Sequence, residues 1–362
     1  MAFRYFPLLT GAAGLALATS MALAQTVPNV FPLTPPSIST VPKNGDVNPY
    51  GVAFVPPTVP TDGVLQQGDV LVSNFNNSAN AQGMGGTIVR ITATGQTSTF
   101  YQTSTSNLIG LTGALSILSN GVVIVGSLPT TDGTSATVQA GALTLIDRHG
   151  TVLGSMTGAA INGPWGMAVT DPGAGIATVF VSNVLAGTVI RYGIIYDGPT
   201  VLETLGPVTI ASGLNHRTDP EAIVLGPSGL SYDAVHDILY VASSLDNAVY
   251  SIASAGTSTG TAGAIKVVYQ DVTHLHGPLD LVMAPNGHLL VANSDGSNVD
   301  PNQPSELVEF TTTGTFVAQY SVDAGNGGAF GLSIFNLGYG GIRIGAVDDN
   351  ANTITLWTAF VP

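Results

Sequence analysis

Three asparagines close short apolar runs: Asn74 in "DVLVSN", Asn183 in "VFVSN" and Asn293 in "LLVAN". An aspartate, Asp280, stands in "GPLDLVMA" where five related runs carry glycine. Amide oxygens around one carboxylate are the donors of a low-charge Ca2+ site. The competing role is structural, because amides at strand ends also bond to loop backbone. Amides without several carboxylates hold calcium weakly, so the residue types favour the structural role. A second group is aromatic. Tyr50, Trp165 and Phe330 precede equivalent glycines in "YGVAFV", "WGMAV" and "FGLSIF". Rings converging on one opening can stack on a sugar or another flat, partly apolar ligand, with the three asparagines supplying hydrogen bonds. They can equally plug that opening by packing on one another.

Other constellations are weaker. His274 and His276 alternate in "DVTHLHGP", which turns both imidazoles to one side of an extended chain, as metal ligands require, but no third ligand is placed. His216, Asp219 and Glu221 form an acid–base set in a polar loop, although Asp-Pro-Glu is also a turn sequence. The loop carrying Asp295, Asn298, Asp300, Asn302 and Glu306 lacks EF-hand spacing and reads as solvated turn, as does "VDDNAN" at 347–352. "GTSTG" at 256–260 matches a nucleophile pattern but no helix follows it, so the strained elbow that activates such a serine is missing.

The elements that must position these residues come from a repeat. The position held by Gly51, Gly113, Gly166, Gly229, Asp280 and Gly331 advances by 62, 53, 63, 51 and 51 residues. A strand-like run opens each unit, and a second and third follow. Five units add a fourth, and the sixth runs out of chain at Pro362. Six units of up to four short strands predict an all-β, six-bladed β-propeller. "SISTV" at 37–41 is the expected donor of the missing strand, beside 352–358, which would remove an open sheet edge. Antiparallel order then places the loops between strands two and three, and those between blades, on one face. Most of the long polar loops fall there, so that face is the expected working face.

Three segments follow. Residues 1–24 carry Arg4, an apolar run from Leu8 and an Ala22-Leu23-Ala24 site, the pattern of a signal peptide cleaved before Gln25. Residues 25–36 are a Pro-rich segment, and 37–362 form a single propeller domain. The expected location is secreted or periplasmic. No mature stretch is long and apolar enough for a transmembrane helix. The chain has no cysteine, so stability must come from its core. Acids outnumber Lys and Arg 22 to 8, and charged residues make up only 8% of the chain, which argues against nucleic acid or an anionic membrane as partner.

"GPWGMAV" followed by "VFVSN", and "GPLDLVMAPNGHLLVAN", resemble the NHL-repeat and SMP-30/gluconolactonase-like six-bladed propellers. The resemblance implies that architecture over nearly the whole mature chain. In metal-dependent lactonases of the group, acidic and amide side chains ring one end of the channel and hold a divalent cation that polarises a lactone carbonyl and a water. Several come from the position before the inner-strand glycine, which here reads Tyr50, Thr112, Trp165, Ser228, Leu279 and Phe330. None is a carboxylate, and "NPYG" at 48–51 stands where the group has Glu-Gly-Pro. The expected function is therefore an exported binding module that uses its loop-rich face for a small molecule, glycan or protein. The alternative is a divalent-metal-dependent hydrolase or lactonase.

Overall fold

The computed structural model describes residues 35–103, 105, 109–260, 265–294, 306–323, 325 and 327–360. The signal-peptide segment, most of the Pro-rich segment and the loop with Asp295, Asn298, Asp300 and Asn302 lie outside these residues. So does the side chain of Glu306.

Strand β1 (Ile38–Ser39) precedes the six repeats. Blade one comprises β2 (Val47–Phe54), β3 (Val70–Asn76), β4 (Thr87–Ile91) and β5 (Thr97–Gln102). Blade two comprises β6 (Leu111–Ile117), β7 (Val123–Ser127), β8 (Ala142–Ile146) and β9 (Val152–Met156). Blade three has β10 (Pro164–Thr170), β11 (Ile176–Asn183), β12 (Thr188–Asp197) and a long β13 (Thr200–Ala211). A small hairpin of β14 (Arg217–Asp219) and β15 (Ile223–Leu225) leads to blade four. That blade holds β16 (Pro227–Asp233), β17 (Ile238–Ser243), β18 (Ala248–Ala253) and β19 (Lys266–Gln270). Blade five runs through β20 (Pro278–Met283), β21 (His288–Asn293), β22 (Glu306–Thr311) and β23 (Phe316–Ser321). Blade six has β24 (Ala329–Gly338), β25 (Gly341–Asp348) and β26 (Thr353–Phe360), and β1 completes it in the order β1-β26-β25-β24.

The expected closure is present. Ile38 pairs with Ile354 and Ser39 with Thr353, antiparallel. Thr40 extends the seam, its N–H and its hydroxyl both donating to the Asn352 carbonyl at 2.9 Å. Each blade is sandwiched between two others, so its inner strands bury both faces and read as continuous apolar runs rather than alternating ones. All seven residues of β3 and all five of β7 are buried, whereas β9 on the rim is mostly exposed. Six apolar clusters fill the six seams: Leu71 and Leu115 meet between blades one and two, Phe180 and Leu239 between three and four, Leu290 and Trp357 between five and six.

The inner strands approach one another backbone to backbone, which explains the repeated glycine. A Cβ on Gly331 would lie 1.8 Å from the Tyr50 carbonyl oxygen, one on Gly166 2.2 Å from that of Ser228, and one on Gly113 3.0 Å from that of Trp165. Buried hydroxyls bridge the same seams. Ser73 donates to the Thr112 carbonyl at 2.8 Å, Thr112 to Pro164 at 2.7 Å, Ser182 to Ser228 at 2.6 Å and Ser228 to Pro278 at 2.9 Å.

Two features depart from the sequence reading. The polar loop carrying His216, Asp219 and Glu221 contains β14 of the β14–β15 hairpin, because Ile223, Val224 and Leu225 are apolar and buried and pair with it. Ile223 adopts φ of 62°, a strained value for a β-branched residue that this burial enforces. The fourth strand of blade three extends beyond the short apolar run "VTIAS" at 208–212 that marks it in the sequence, beginning at Thr200, and the β12–β13 hairpin is correspondingly long.

Two predictions follow from the closed ring. Removing residues 25–41 deletes β1 and its bonds to blade six and should lower the melting temperature by many degrees; an unchanged value would show that the seam closes without it. Gly331→Ala forces the Tyr50 carbonyl to move and should cost about 1–3 kcal/mol. Gly154→Ala, which meets nothing within 4 Å on β9, is its control and should be close to neutral in denaturant unfolding.

Candidate functional site

Tyr50 on β2, Trp165 on β10, Leu279 on β20 and Phe330 on β24 meet at the loop-rich end of the channel and form the floor of a cavity of about 280 Å³. The structure brings the rings of Tyr50, Trp165 and Phe330 together. Their packing differs from an open stacking platform. The Tyr50 ring lies 4.7 Å from Phe330, 5.2 Å from Trp165 and 5.0 Å from Phe75 between centroids, and Phe75 is 5.4 Å from Trp165. Trp165 is 2% exposed, Tyr50 6% and Phe330 9%. The rings therefore plug the channel and offer a ligand mainly their edges.

Polar side chains make the walls: Asn48, Asn76, Asn80, Gln82, Glu221 and Asp349. Asn48 opens β2 with φ of 60°, a left-handed value that asparagine tolerates, and its N–H donates to Asn352 Oδ1 at 2.7 Å. Asn76 ends β3 and donates to Asn80 Oδ1 at 2.7 Å. Gln82 donates to the Glu221 carbonyl at 3.0 Å, which ties the blade-one loop to the segment before β15. Asn48 Oδ1 and Asn76 Oδ1 are buried without a donor. Such an acceptor costs about 1–3 kcal/mol, a cost that a donor able to reach it would relieve.

The electrostatics of the mouth centre on Asp349, in the turn between β25 and β26. Burial, with the neighbouring Asp348 adding repulsion, pushes its carboxyl up to about 7. Burial, and then the charge of Asp349, raises the Tyr50 hydroxyl far above its ordinary range and keeps it neutral. The pair supplies a proton-bearing hydroxyl and a carboxyl that can donate or accept near neutral pH.

The other candidates are distributed elsewhere. Asn74, Asn183 and Asn293 are fully buried and line neither this cavity nor the channel below it. Asn74 donates to the Thr40 carbonyl at 3.1 Å, Asn183 to Ala160 at 3.0 Å and Asn293 to His274 at 2.6 Å. Each amide thus pins the loop that enters its own blade. Asp280 lies beneath the aromatic plug and borders the channel cavity on the far side, so it does not share the mouth with them.

His274 bonds Asp271 at 2.7 Å and stacks on Phe316 at 4.0 Å, while His276 is buried with Nε2 3.2 Å from the Thr273 carbonyl. His216 Nδ1 lies 3.0 Å from the Leu214 carbonyl. Asp219 accepts from Arg217 and two turn N–H groups, leaving Glu221 as the member of that set that reaches the mouth. In "GTSTG", Ser258 donates to Gly260 within a turn.

Sequence reasoning missed Asn48, Asn76, Asn80, Gln82 and Asp349. Asp349 was grouped with solvated turn residues. The available signal was its place in a loop between the second and third strands of a blade, which the repeat assigns to the working face.

A divalent cation does not fit the floor of this mouth. Of the positions that would supply oxygen, Trp165, Leu279 and Phe330 offer only carbon or an indole, the Thr112 and Ser228 hydroxyls donate to seam carbonyls, and the Tyr50 hydroxyl keeps its proton. Among the described residues no three His, Asp or Glu side chains converge as a ligand set.

No family model and no curated protein matches this sequence. Solved structures do share its architecture. Regucalcin from Agrobacterium tumefaciens, described as a calcium-binding protein, superposes with a TM-score of 0.53 at 12% identity, covering 91% of this chain and 95% of that one. A luciferin-regenerating enzyme gives 0.51 at 10% identity over 90% and 95%. A gluconolactonase from Xanthomonas campestris gives 0.50 at 10% identity over 92% and 100%. At these identities the common property is the fold: the chain has the six-bladed propeller architecture of SMP-30/gluconolactonase-like proteins.

Proposed function

We propose that this protein is an exported binding module whose loop-rich face captures a small, neutral, hydroxyl-rich molecule such as a sugar or polyol. The observation that carries the reading is the mouth cavity itself. It has a sealed apolar floor and walls of amides and carboxylic acids, with two amide oxygens lacking donors. A ligand hydroxyl can donate to Asn48 or Asn76 once those amides turn towards it, and to Asp349 when it is ionised. Ring edges of Tyr50 and Phe330 contact the ligand's carbon face. The acidic walls disfavour anions, and a net charge of −14 does so over the whole molecule.

A second reading is lactone hydrolysis. It is supported by the fold shared with a gluconolactonase and by Asp349, whose carboxyl near 7 suits a general acid or base at neutral pH. Lactone attack would then depend on a water positioned by Asp349 rather than on a cation at the floor.

Calorimetric titration with neutral mono- and disaccharides, beside a turnover assay on aldonolactones with and without calcium, separates the two. The binding reading expects heat of binding without turnover, and an affinity lowered about tenfold by Asp349→Asn, one charge-assisted hydrogen bond's worth. Lactone turnover that Asp349→Asn abolishes would replace it with the second reading. Absence of both binding and turnover would overturn both.

Asp349 also sets a pH dependence. Its carboxyl holds a proton to about 7 when folded and releases it near 4 when unfolded. Between those values the folded protein binds more protons than the unfolded chain, so stability falls as pH rises from about 4 through about 7. Asp280, also raised to about 7, adds a slope of the same sign, so Asp349→Asn should make the slope in thermal melts shallower without abolishing it, and an identical slope would show that Asp349 does not contribute.

A further inference from the structure

Beneath the aromatic plug lies a second chamber, with a volume of about 420 Å³, on the face opposite the mouth. Its position follows from its lining. Pro56 and Pro57 follow β2, and Tyr232 and Asn336 lie towards the far ends of β16 and β24. A void of about 10 Å³ lies between Asp280 and the rings of Tyr50, Trp165 and Phe330, and those rings close the chamber off from the mouth. The chamber is thus a blind tube with Asp280 at its closed end.

Asp280 is the one departure from glycine at the six inner-strand positions, and the repeat gives a local reason why it is tolerated. Its Oδ2 accepts the Leu332 N–H of blade six at 2.9 Å, and its Oδ1 accepts the Leu281 N–H at 2.8 Å. One seam bond does not require a carboxylate, since serine and threonine hydroxyls bridge four other seams. No cation neighbours Asp280 among the described residues; burial opposes its charge and those two N–H groups alone support it. Each oxygen keeps a lone pair. Most of the side chains lining the chamber are apolar, among them Val52, Leu115, Met167, Leu230 and Phe335, with Ser116, Ser231 and Ser333 interspersed, while polar atoms make up the larger share of the surface exposed to it.

We propose that this chamber binds a small organic cation, a primary or secondary ammonium group on an apolar body, with the ammonium seated on Asp280. An ammonium presents up to three donors, which one carboxylate and neighbouring hydroxyls can meet. Calcium needs six to eight oxygens and zinc four ligands, and either finds a single carboxylate already receiving two N–H groups. The volume is that of a small-molecule site. Without a ligand, burial pushes Asp280 up to about 7, so its charged form is held back by want of a partner. The other titratable side chains bordering Asp280's two cavities are Tyr50 and Tyr232, both raised by burial and neutral across the range used below.

The test is calorimetric titration of the mature chain with 2-phenylethylammonium and, as its neutral counterpart, 2-phenylethanol. At pH 8 the ammonium should bind at least about tenfold more tightly than the alcohol. That preference should decay as pH falls through about 7 to 5, where Asp280 takes a proton and the amine keeps its own. Asp280→Asn should abolish the preference and leave the alcohol's affinity in place. Ser333→Trp, which fills the tube without touching the seam bond, should block both ligands and keeps the test decisive if Asp280→Asn does not fold. Equal affinities at pH 8, a preference that survives in Asp280→Asn, or ammonium binding unaffected by Ser333→Trp would overturn the proposal. None of these outcomes bears on the mouth, whose ligand is read by sugar binding.

Discussion

The structure depends on one constraint, the close approach of six inner strands around a narrow axis. Where Gly331 meets the Tyr50 carbonyl and Gly166 that of Ser228, no side chain fits between the backbones. Buried backbone groups so placed must still be bonded, and Ser73, Thr112, Ser182 and Ser228 do this across the seams. The glycine ring, the hydroxyl ring and the seam-filling clusters are three expressions of one geometry. The residues before the glycine-ring positions divide into two sets: the Thr112 and Ser228 hydroxyls bridge seams, while Tyr50, Trp165, Leu279 and Phe330 gather at the axis and form a plug.

That plug determines what kinds of site the protein can have. With no carboxylate at the positions where an acidic set would hold a metal, and with the Thr112 and Ser228 hydroxyls engaged in the seams, the polar chemistry of the mouth lies further out, at Asn48, Asn76, Gln82, Glu221 and Asp349. The same layer of rings leaves Asp280 below the plug, in a separate chamber. It divides the channel into a mouth walled by amide and acid side chains and a chamber whose one lining carboxyl group is that of Asp280.

The repeat was legible because steric exclusion at the axis writes glycine at a fixed spacing, and closure by β1 was legible because the sixth unit lacked a strand. The convergence of Tyr50, Trp165 and Phe330 followed from the same register. Their degree of burial did not, since ring packing depends on neighbours such as Phe75 that belong to other strand positions. For Asn74, Asn183 and Asn293 the scarcity of carboxylates already favours the structural role, and each amide bonds to a loop carbonyl, but which carbonyl it meets is not written in the sequence. The β14–β15 hairpin escaped because "IVL" is too short a run to separate from a loop, and only burial against the propeller makes it a strand.

The seam between β1 and β26 joins Thr40 to Asn352, 312 positions apart. Five blades can assemble from neighbours in sequence, each strand finding a partner made shortly before it. The sixth cannot. Its outermost strand is synthesised first and must stay unpaired until the last strand of the chain exists, so the ring has no closed intermediate. Such a contact contributes the longest sequence separation in the fold and comes late for entropic reasons. During that interval the sixth blade and its partner strand present open edges, and the shortness of β1, two residues, limits how much edge is available for pairing with another chain.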